Sequence, residues 1–137
     1  MAAPSLMDLL QAVQDKCTIE EKNICGDLHL SPTEYKGLNI ISPEEELTCR
    51  EFSRRMGLSL SRGSRVIDRL TRHGYLIRTG CIADRRCKSL RLTQTGHMRR
   101  KEIAGRRYAY EKRLSTAYSS HAWKSLKSDI RQLLEKL

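Results

Sequence analysis

Residues 48–96 read TCREFSRRMGLSLSRGSRVIDRLTRHGYLIRTGCIADRRCKSLRLTQTG, and the punctuation of this stretch decides the fold. Thr48 and Glu51 have the T-x-x-E spacing of a capping box, so a helix is predicted to begin there. Phe52 and Met56, four residues apart, give that helix one apolar side. Gly57 supplies the left-handed residue on which helices often end. Ser59 can then cap a second helix after a break of only a few residues, which is helix-turn-helix spacing. Val66, Ile67 and Leu70 form the inner side of this second helix. His73-Gly74 closes it, with the histidine read as a helix-end residue favoured by the dipole.

The second helix has a basic face. Arg62, Arg65, Arg69 and Arg72 recur at i, i+3, i+7 and i+10 and share one side. An arginine stripe alone is usually a solvated surface. This one follows a capped helix and a tight turn, and it precedes a hairpin. Tyr75 to Thr79 is rich in β-formers, and Lys88 to Leu92 alternates polar and apolar residues. Between them, residues 80–87 read as a loop whose tip carries Asp84-Arg85-Arg86. Adjacent arginines on a loop are costly to bury and suit phosphate or a narrow minor groove. Asp84 is expected to orient one of them by a charge-assisted hydrogen bond. A helix for the major groove beside a loop for the minor groove is the arrangement of a winged helix-turn-helix. Ser59, Ser61, Arg62, Ser64 and Arg65 occupy the start of the recognition helix, where base edges are met, and Arg69 is placed to grip phosphate.

Outside this stretch, Leu6, Leu9, Leu10 and Val13 make an amphipathic helix beginning near Ser5, and Cys17 extends its stripe. Thr18-Ile19-Glu20-Glu21 repeats the T-x-x-E signature, so a second short helix is expected from there. Ser31-Pro32-Thr33-Glu34 is a stronger start, opening a helix that turns Tyr35, Leu38 and Ile41 inward. Ser42-Pro43-Glu44-Glu45 marks a turn. Beyond the hairpin, a long helix runs from Gln94 to about Tyr118, with Met98, Ala104 and Tyr108 on its inner side and Gly105 as a weak point. Trp123, Leu126, Ile130, Leu133, Leu134 and Leu137 then recur three or four apart. That stripe follows a helix with little core left to cover, so pairing with a second copy of the chain is expected. The fold class is therefore mainly α (α+β): a winged helix-turn-helix with a small β-hairpin wing and N- and C-terminal dimerisation helices. Residues 1–42 form the N-terminal helices, 47–96 the DNA-binding region and 97–137 the C-terminal dimerisation helices of one domain.

Charge supports this organisation. The net charge is +10 in 137 residues, and it is unevenly spread. From Arg50 to Arg113 there are 19 Lys+Arg against 5 Asp+Glu, whereas residues 1–49 hold 3 against 9. Basicity concentrated on the proposed reading head points to a polyanion, here double-stranded DNA. A membrane surface is disfavoured because the basic helices lack a large apolar face. No apolar run approaches the ~20 residues of a membrane span, and no signal-peptide core is present, so a cytoplasmic protein is expected.

Residues 47–96 resemble the DNA-binding domain of the MarR family of bacterial transcriptional regulators. The marks are Glu51 to Ser59, Ser64 to Leu70 and Gly74 to Arg78. Most specific is Asp84-Arg85-Arg86 followed by Leu90-Arg91-Leu92-Thr93-Gln94-Thr95-Gly96, the D-x-R and L-T-x-x-G wing pattern. The resemblance implies a symmetric dimer on a palindromic site, most often as a repressor, with Arg86 entering the minor groove and Asp84 supporting it. It also implies a possible small-molecule effector. Gly63 departs from the pattern, where a larger residue is usual. Glycine inside a helix costs about 1 kcal/mol relative to alanine, so a close backbone approach is the expected reason.

No catalytic constellation is present. The four histidines are scattered, and neither a phosphate-binding glycine loop nor G-x-S-x-G occurs. An enzyme is not expected, and no cofactor is implied. Cys17, Cys25, Cys49, Cys81 and Cys87 leave two readings open. Either Cys17, Cys25 and Cys49 are small buried apolar residues, or some of the five form a thiol switch or a thiolate-bound metal or cluster. No C-x-x-C exists, which argues against a standard zinc site. Cys81 and Cys87 flank the wing loop and could face each other across the hairpin. Two other functional classes compete with a regulator: a non-specific compaction protein, and a winged helix used for protein interaction.

Overall fold

The computed structural model describes residues 2–81 and 84–137, without the side chains of residues 81–88. Among the described residues there are six helices and a small three-stranded antiparallel sheet. The chain divides into two compact units, Met1–Lys101 and Glu102–Leu137.

The first unit opens with α1 (Leu6–Leu28), begun by a reciprocal capping box between Ser5 and Asp8. The helix does not break at Thr18, contrary to the sequence expectation. The Thr18 hydroxyl donates to the Gln14 carbonyl at 2.9 Å instead of capping a new start, and neither glycine nor proline interrupts residues 6–25. Cys17 and Cys25 thus share one helix, roughly 12 Å apart along its axis. A disulfide needs Cα atoms within about 7 Å, so these two cannot pair within a chain.

α2 (Pro32–Ile40) starts as expected, with Ser31 and Glu34 satisfying one another's backbone donors. The Ser42–Glu45 turn follows, with Glu44 at φ 65°. α3 (Cys49–Met56) ends at Gly57, which takes φ 70°. Its cap is only half of the box read from the sequence. Thr48 accepts from the Glu51 amide at 3.0 Å, but the Glu51 carboxylate turns outward to Arg54 and Arg55. Two strong guanidinium donors outcompete one backbone amide. α4 (Leu60–Arg72) is capped by Ser59.

α2, α3 and α4 enclose Leu38, Phe52, Ile67 and Leu70, all fully buried. Burying a side chain the size of Phe52 stabilises by about 3 kcal/mol. At Gly63 the backbones of α3 and α4 close together. A Cβ there would lie 1.8 Å from Ser53 Oγ and 2.6 Å from Ser53 Cβ. The expectation of a close approach at this glycine is met.

The sheet has the order β1–β3–β2, formed by β1 (Leu47–Thr48), β3 (Asp84–Leu92) and β2 (Leu76–Cys81). β1 is too short for any periodicity to reveal it, yet Leu47 pairs with Leu90 and ties the helix-turn-helix to the wing. The hairpin strands run further than the alternating residues indicate. β2 reaches Cys81 and β3 begins at Asp84, so Asp84 to Cys87 lie in strand rather than loop. Backbone pairing continues past the alternating residues because a register shift after Gly80 absorbs the irregularity. That register pairs Cys81 with Asp84, not with Cys87.

The L-T-x-x-G element proves to be a joint. Thr93 Oγ1 donates to the Gly74 carbonyl at 2.5 Å and accepts from the Gly96 amide at 3.0 Å. A Cβ at Gly96 would stand 2.2 Å from the Tyr75 carbonyl oxygen, so only glycine fits.

α5 (Gln94–Ser115) leaves this joint and passes through Gly105 unbroken. Arg100, on its first part, donates through Nη1 to the carbonyls of Leu38 at 2.8 Å and Asn39 at 3.0 Å, and also to that of Ile41. The guanidinium thereby satisfies carbonyls that α2 leaves open at its end. Arg100→Met keeps the aliphatic stem but strands those acceptors. It should lower unfolding free energy by about 2 kcal/mol in urea titration, whereas an unchanged midpoint would refute the capping role.

The second unit holds the remainder of α5 and α6 (Ser120–Lys136), whose N-cap is Ser119. The rings of Tyr118 and Trp123 pack at a tilt with centroids 5.6 Å apart across the turn between them, and Lys127 pairs with Glu111 at 3.2 Å. The inner-face expectation for α5 is corrected. Met98 and Tyr108 are 58% and 66% exposed and Ala104 is exposed, while Ile103 is fully buried. The helix is apolar at too few positions for period alone to select the face. No described residue of α6 is buried: Trp123, Leu126 and Leu133 are half-buried, and Ile130, Leu134 and Leu137 are exposed.

Candidate nucleic-acid interface

The interface is built on α4. Its inner side, Gly63, Val66, Ile67 and Leu70, is buried against the helices beneath it. That forces the opposite side outward. Ser59, Ser61, Arg62, Arg65, Arg69 and Arg72 are all exposed, and Ser64 is half-buried at the edge. The structure thus brings the candidate base-reading residues onto one face.

The arginines of the first unit sort into two kinds. One kind is committed to the fold. Arg55 holds Glu45 at 2.7 Å, Glu51 at 3.2 Å and the Ile40 carbonyl at 3.1 Å. Arg54 also pairs with Glu51. Arg78 of β2 pairs with Asp68 of α4, so wing strand and recognition helix are linked by charge. Arg100 caps α2. The other kind has no side-chain hydrogen bond or ion pair among the described residues, and Arg62, Arg65 and Arg72 belong to it. Charges left without protein partners on an outward face are available to an external anion. Arg69 is intermediate, exposed but donating to Thr33 Oγ1 at 3.4 Å.

Carboxylates in the committed network are strongly perturbed. Hydrogen bonds from Arg55, with the Ser42 amide adding to them, hold Glu45 at about 2. Arg54 and Arg55 hold Glu51 at about 2 as well. Both groups lie below their ordinary 4.5 in the folded chain, so what they contribute is present above pH 4.5 and is lost on acidification toward 2. The thermal midpoint should therefore fall as pH drops from about 5 to about 2, and Arg55→Met should flatten that profile. An Arg55→Met chain with the parent's full pH dependence would contradict the assignment.

One pairing carried no sequence signal. Glu34, buried at the start of α2, accepts from the Ser31 amide and contacts His73 Nδ1 at 2.6 Å. Burial opposes its ionisation, but the bonds from His73 and Ser31 outweigh this and keep its carboxyl below the usual range. His73 is therefore more than a helix-end residue. The partners stand 39 positions apart, so no local motif joins them.

Asp84, Arg85 and Arg86 were assigned to the wing tip, and their side chains lie outside the described residues, as do those of Cys81 and Cys87. Cys17 is an exposed free thiol, Cys25 a buried one and Cys49 intermediate. Burial, with Glu21 and Glu34 nearby, pushes the Cys25 thiol up and so makes it less reactive. Among the described residues, no group of three or more His, Cys, Asp or Glu could hold a metal ion. No helix among them is long and apolar enough to cross a membrane.

A capped recognition helix braced by two others, with a hairpin paired to a short strand before them, defines a winged helix-turn-helix, the architecture of many DNA-binding regulators. Residues 30–88 match the model of the MarR family. Solved structures of similar fold include the YusO protein from Bacillus subtilis. It is 22% identical with a TM-score of 0.77, and the match covers 98% of this chain and 100% of that one. A mutant of MarR from E. coli is 18% identical with a TM-score of 0.80, covering 98% and 99%. A mutant of MepR from S. aureus is 14% identical with a TM-score of 0.82, covering 97% and 98%. No curated protein sequence matches the chain. The chain thus has the fold of the MarR-type transcriptional regulators along nearly its whole length.

Proposed function

We propose that the chain is a homodimeric transcriptional regulator that binds a palindromic duplex and acts by occupying it, as a repressor does. The observation that carries this reading is the pair Arg62 and Arg65, exposed on the capped first turns of α4 without a described protein partner. Ser61, Arg62, Ser64 and Arg65 read base edges in the major groove, and Arg69 holds a phosphate. Arg86 enters the minor groove beside it, with Asp84 and Arg85 shaping the tip. This last assignment rests on the D-x-R pattern.

Support for the dimer comes from apolar surface that each unit leaves open. In α1, Leu6, Leu9 and Val13 are 57%, 51% and 59% exposed. In α6, Ile130 and Leu134 are 48% and 64% exposed, at the spacing of a packing seam. A second copy of the chain covers such stripes by two-fold symmetry and sets two reading heads about 34 Å apart, one turn of DNA.

Footprinting on the DNA upstream of the chain's own gene, with sedimentation of the free protein, tests the reading. Two protected half-sites one helical turn apart and a dimer in solution are expected. Equal protection of any sequence would favour a compaction protein, and a monomer would remove the symmetric arrangement.

A further inference from the structure

We propose that the entrance of α2 is a clamp on the far end of the recognition helix, with Glu34 and His73 as positioning residues for DNA binding. The proposal rests on the reading of α4 as the DNA-reading helix.

α4 is held differently at its two ends. Near the start, the close approach of Gly63 to Ser53 fixes its height over α3. Near the end, the consecutive residues Thr33 and Glu34 meet Arg69 of α4 and His73, its C-cap residue, which lie four apart and so share a face. Arg69 Nη1 donates to Thr33 Oγ1 at 3.4 Å, and His73 Nδ1 meets Glu34 Oε2 at 2.6 Å. The second contact is the strong one. The Glu34 side chain is only 5% exposed. Its other oxygen is taken by the Ser31 amide at 3.2 Å, so the carboxylate cannot swing away without uncapping α2. The His73 ring also stands edge-on to Tyr75 at 6.2 Å, which limits its rotation. A rigid acceptor and a confined ring together fix where the last turn of α4 sits. Arg69, one turn earlier, is thereby aimed.

The structure assigns these residues no direct DNA contact. Glu34 is an anion that phosphate repels, and the Nδ1 of His73 is already engaged. Removing the bond should change where Arg69 points without removing a phosphate ligand. Affinity should then fall while the number of released counterions stays the same.

The experiment compares parent, His73→Ala, His73→Asn, Arg69→Ala and the double variant His73→Ala/Arg69→Ala. Asparagine can place an amide donor where Nδ1 stands. Duplex affinity is measured across a salt series, and amide hydrogen exchange of residues 69–74 is measured in the free protein. We expect His73→Ala to weaken duplex binding about tenfold with the parent's salt slope, and to speed exchange in residues 69–74 while α3 remains protected. His73→Asn should restore most of both, and Arg69→Ala should lower the slope by about 0.9. Unchanged exchange in His73→Ala overturns the clamp whether or not the parent binds DNA. A slope that falls in His73→Ala even when Arg69 is already alanine shows that the histidine itself touches phosphate, and also overturns it. If the parent binds no duplex at all, the DNA-reading assignment of α4 fails, and the clamp fails as a DNA-positioning device even if exchange responds. That outcome is distinguished by the parent alone.

Discussion

Gly63→Ala should destabilise the chain by about 2–3 kcal/mol and lower its melting temperature by about 10 °C. The added methyl would fall 1.8 Å from Ser53 Oγ, 2.6 Å from its Cβ and 3.1 Å from its backbone Cα. Rotating the serine relieves only the first contact, and it breaks the 2.8 Å bond from Ser53 Oγ to the Cys49 carbonyl. Relief therefore requires α4 to move off α3. Helix propensity alone would make alanine stabilising by about 1 kcal/mol, so the sign of the measured change separates the two effects. Ser53→Gly removes the two nearest of these atoms, and the double variant should recover much of the loss. A Gly63→Ala chain as stable as the parent in urea or thermal unfolding would show that the helices do not meet this closely.

Arg62→Ala/Arg65→Ala should lower affinity for the preferred duplex about a hundredfold, since each good base contact contributes roughly 1–3 kcal/mol. Preference over random DNA should shrink in step. Folding stability should stay within about 0.5 kcal/mol, because neither arginine has a described partner to lose. Arg55→Met is the opposite case, with stability reduced and base preference kept. The contrast distinguishes arginines that serve the fold from those that serve a ligand. Loss of stability in the double variant, or intact sequence preference, would remove α4 as the reading element.

The recognition helix and its outward face could be read before any coordinates because local chemistry dictates them. Ser59 and Gly57 mark the turn, Val66, Ile67 and Leu70 fix the inner side, and the arginines have nowhere to go but out. Gly63 was legible as an anomaly, and its cause needed the position of Ser53. What escaped depends on pairings distant in sequence. Arg100 caps a helix that ends some sixty residues earlier, Glu34 meets His73, and Leu47 joins the second strand of the wing. None leaves a periodic trace. Thr18 misled for the converse reason: its T-x-x-E spacing is local, but its hydroxyl found a carbonyl within the same helix. The strands of the wing outran their alternating residues because backbone pairing does not need alternation.

The central claim is that the outward face of α4 engages duplex DNA through charge and base contacts together. A titration of labelled duplex, from the chain's own upstream region and from random sequence, at several salt concentrations tests it most directly. The account predicts a linear fall of log affinity with log salt for both, with a slope of several, and tighter binding to the upstream site by about a thousandfold or more. No binding at about 50 mM salt, or binding that salt does not weaken, would contradict it.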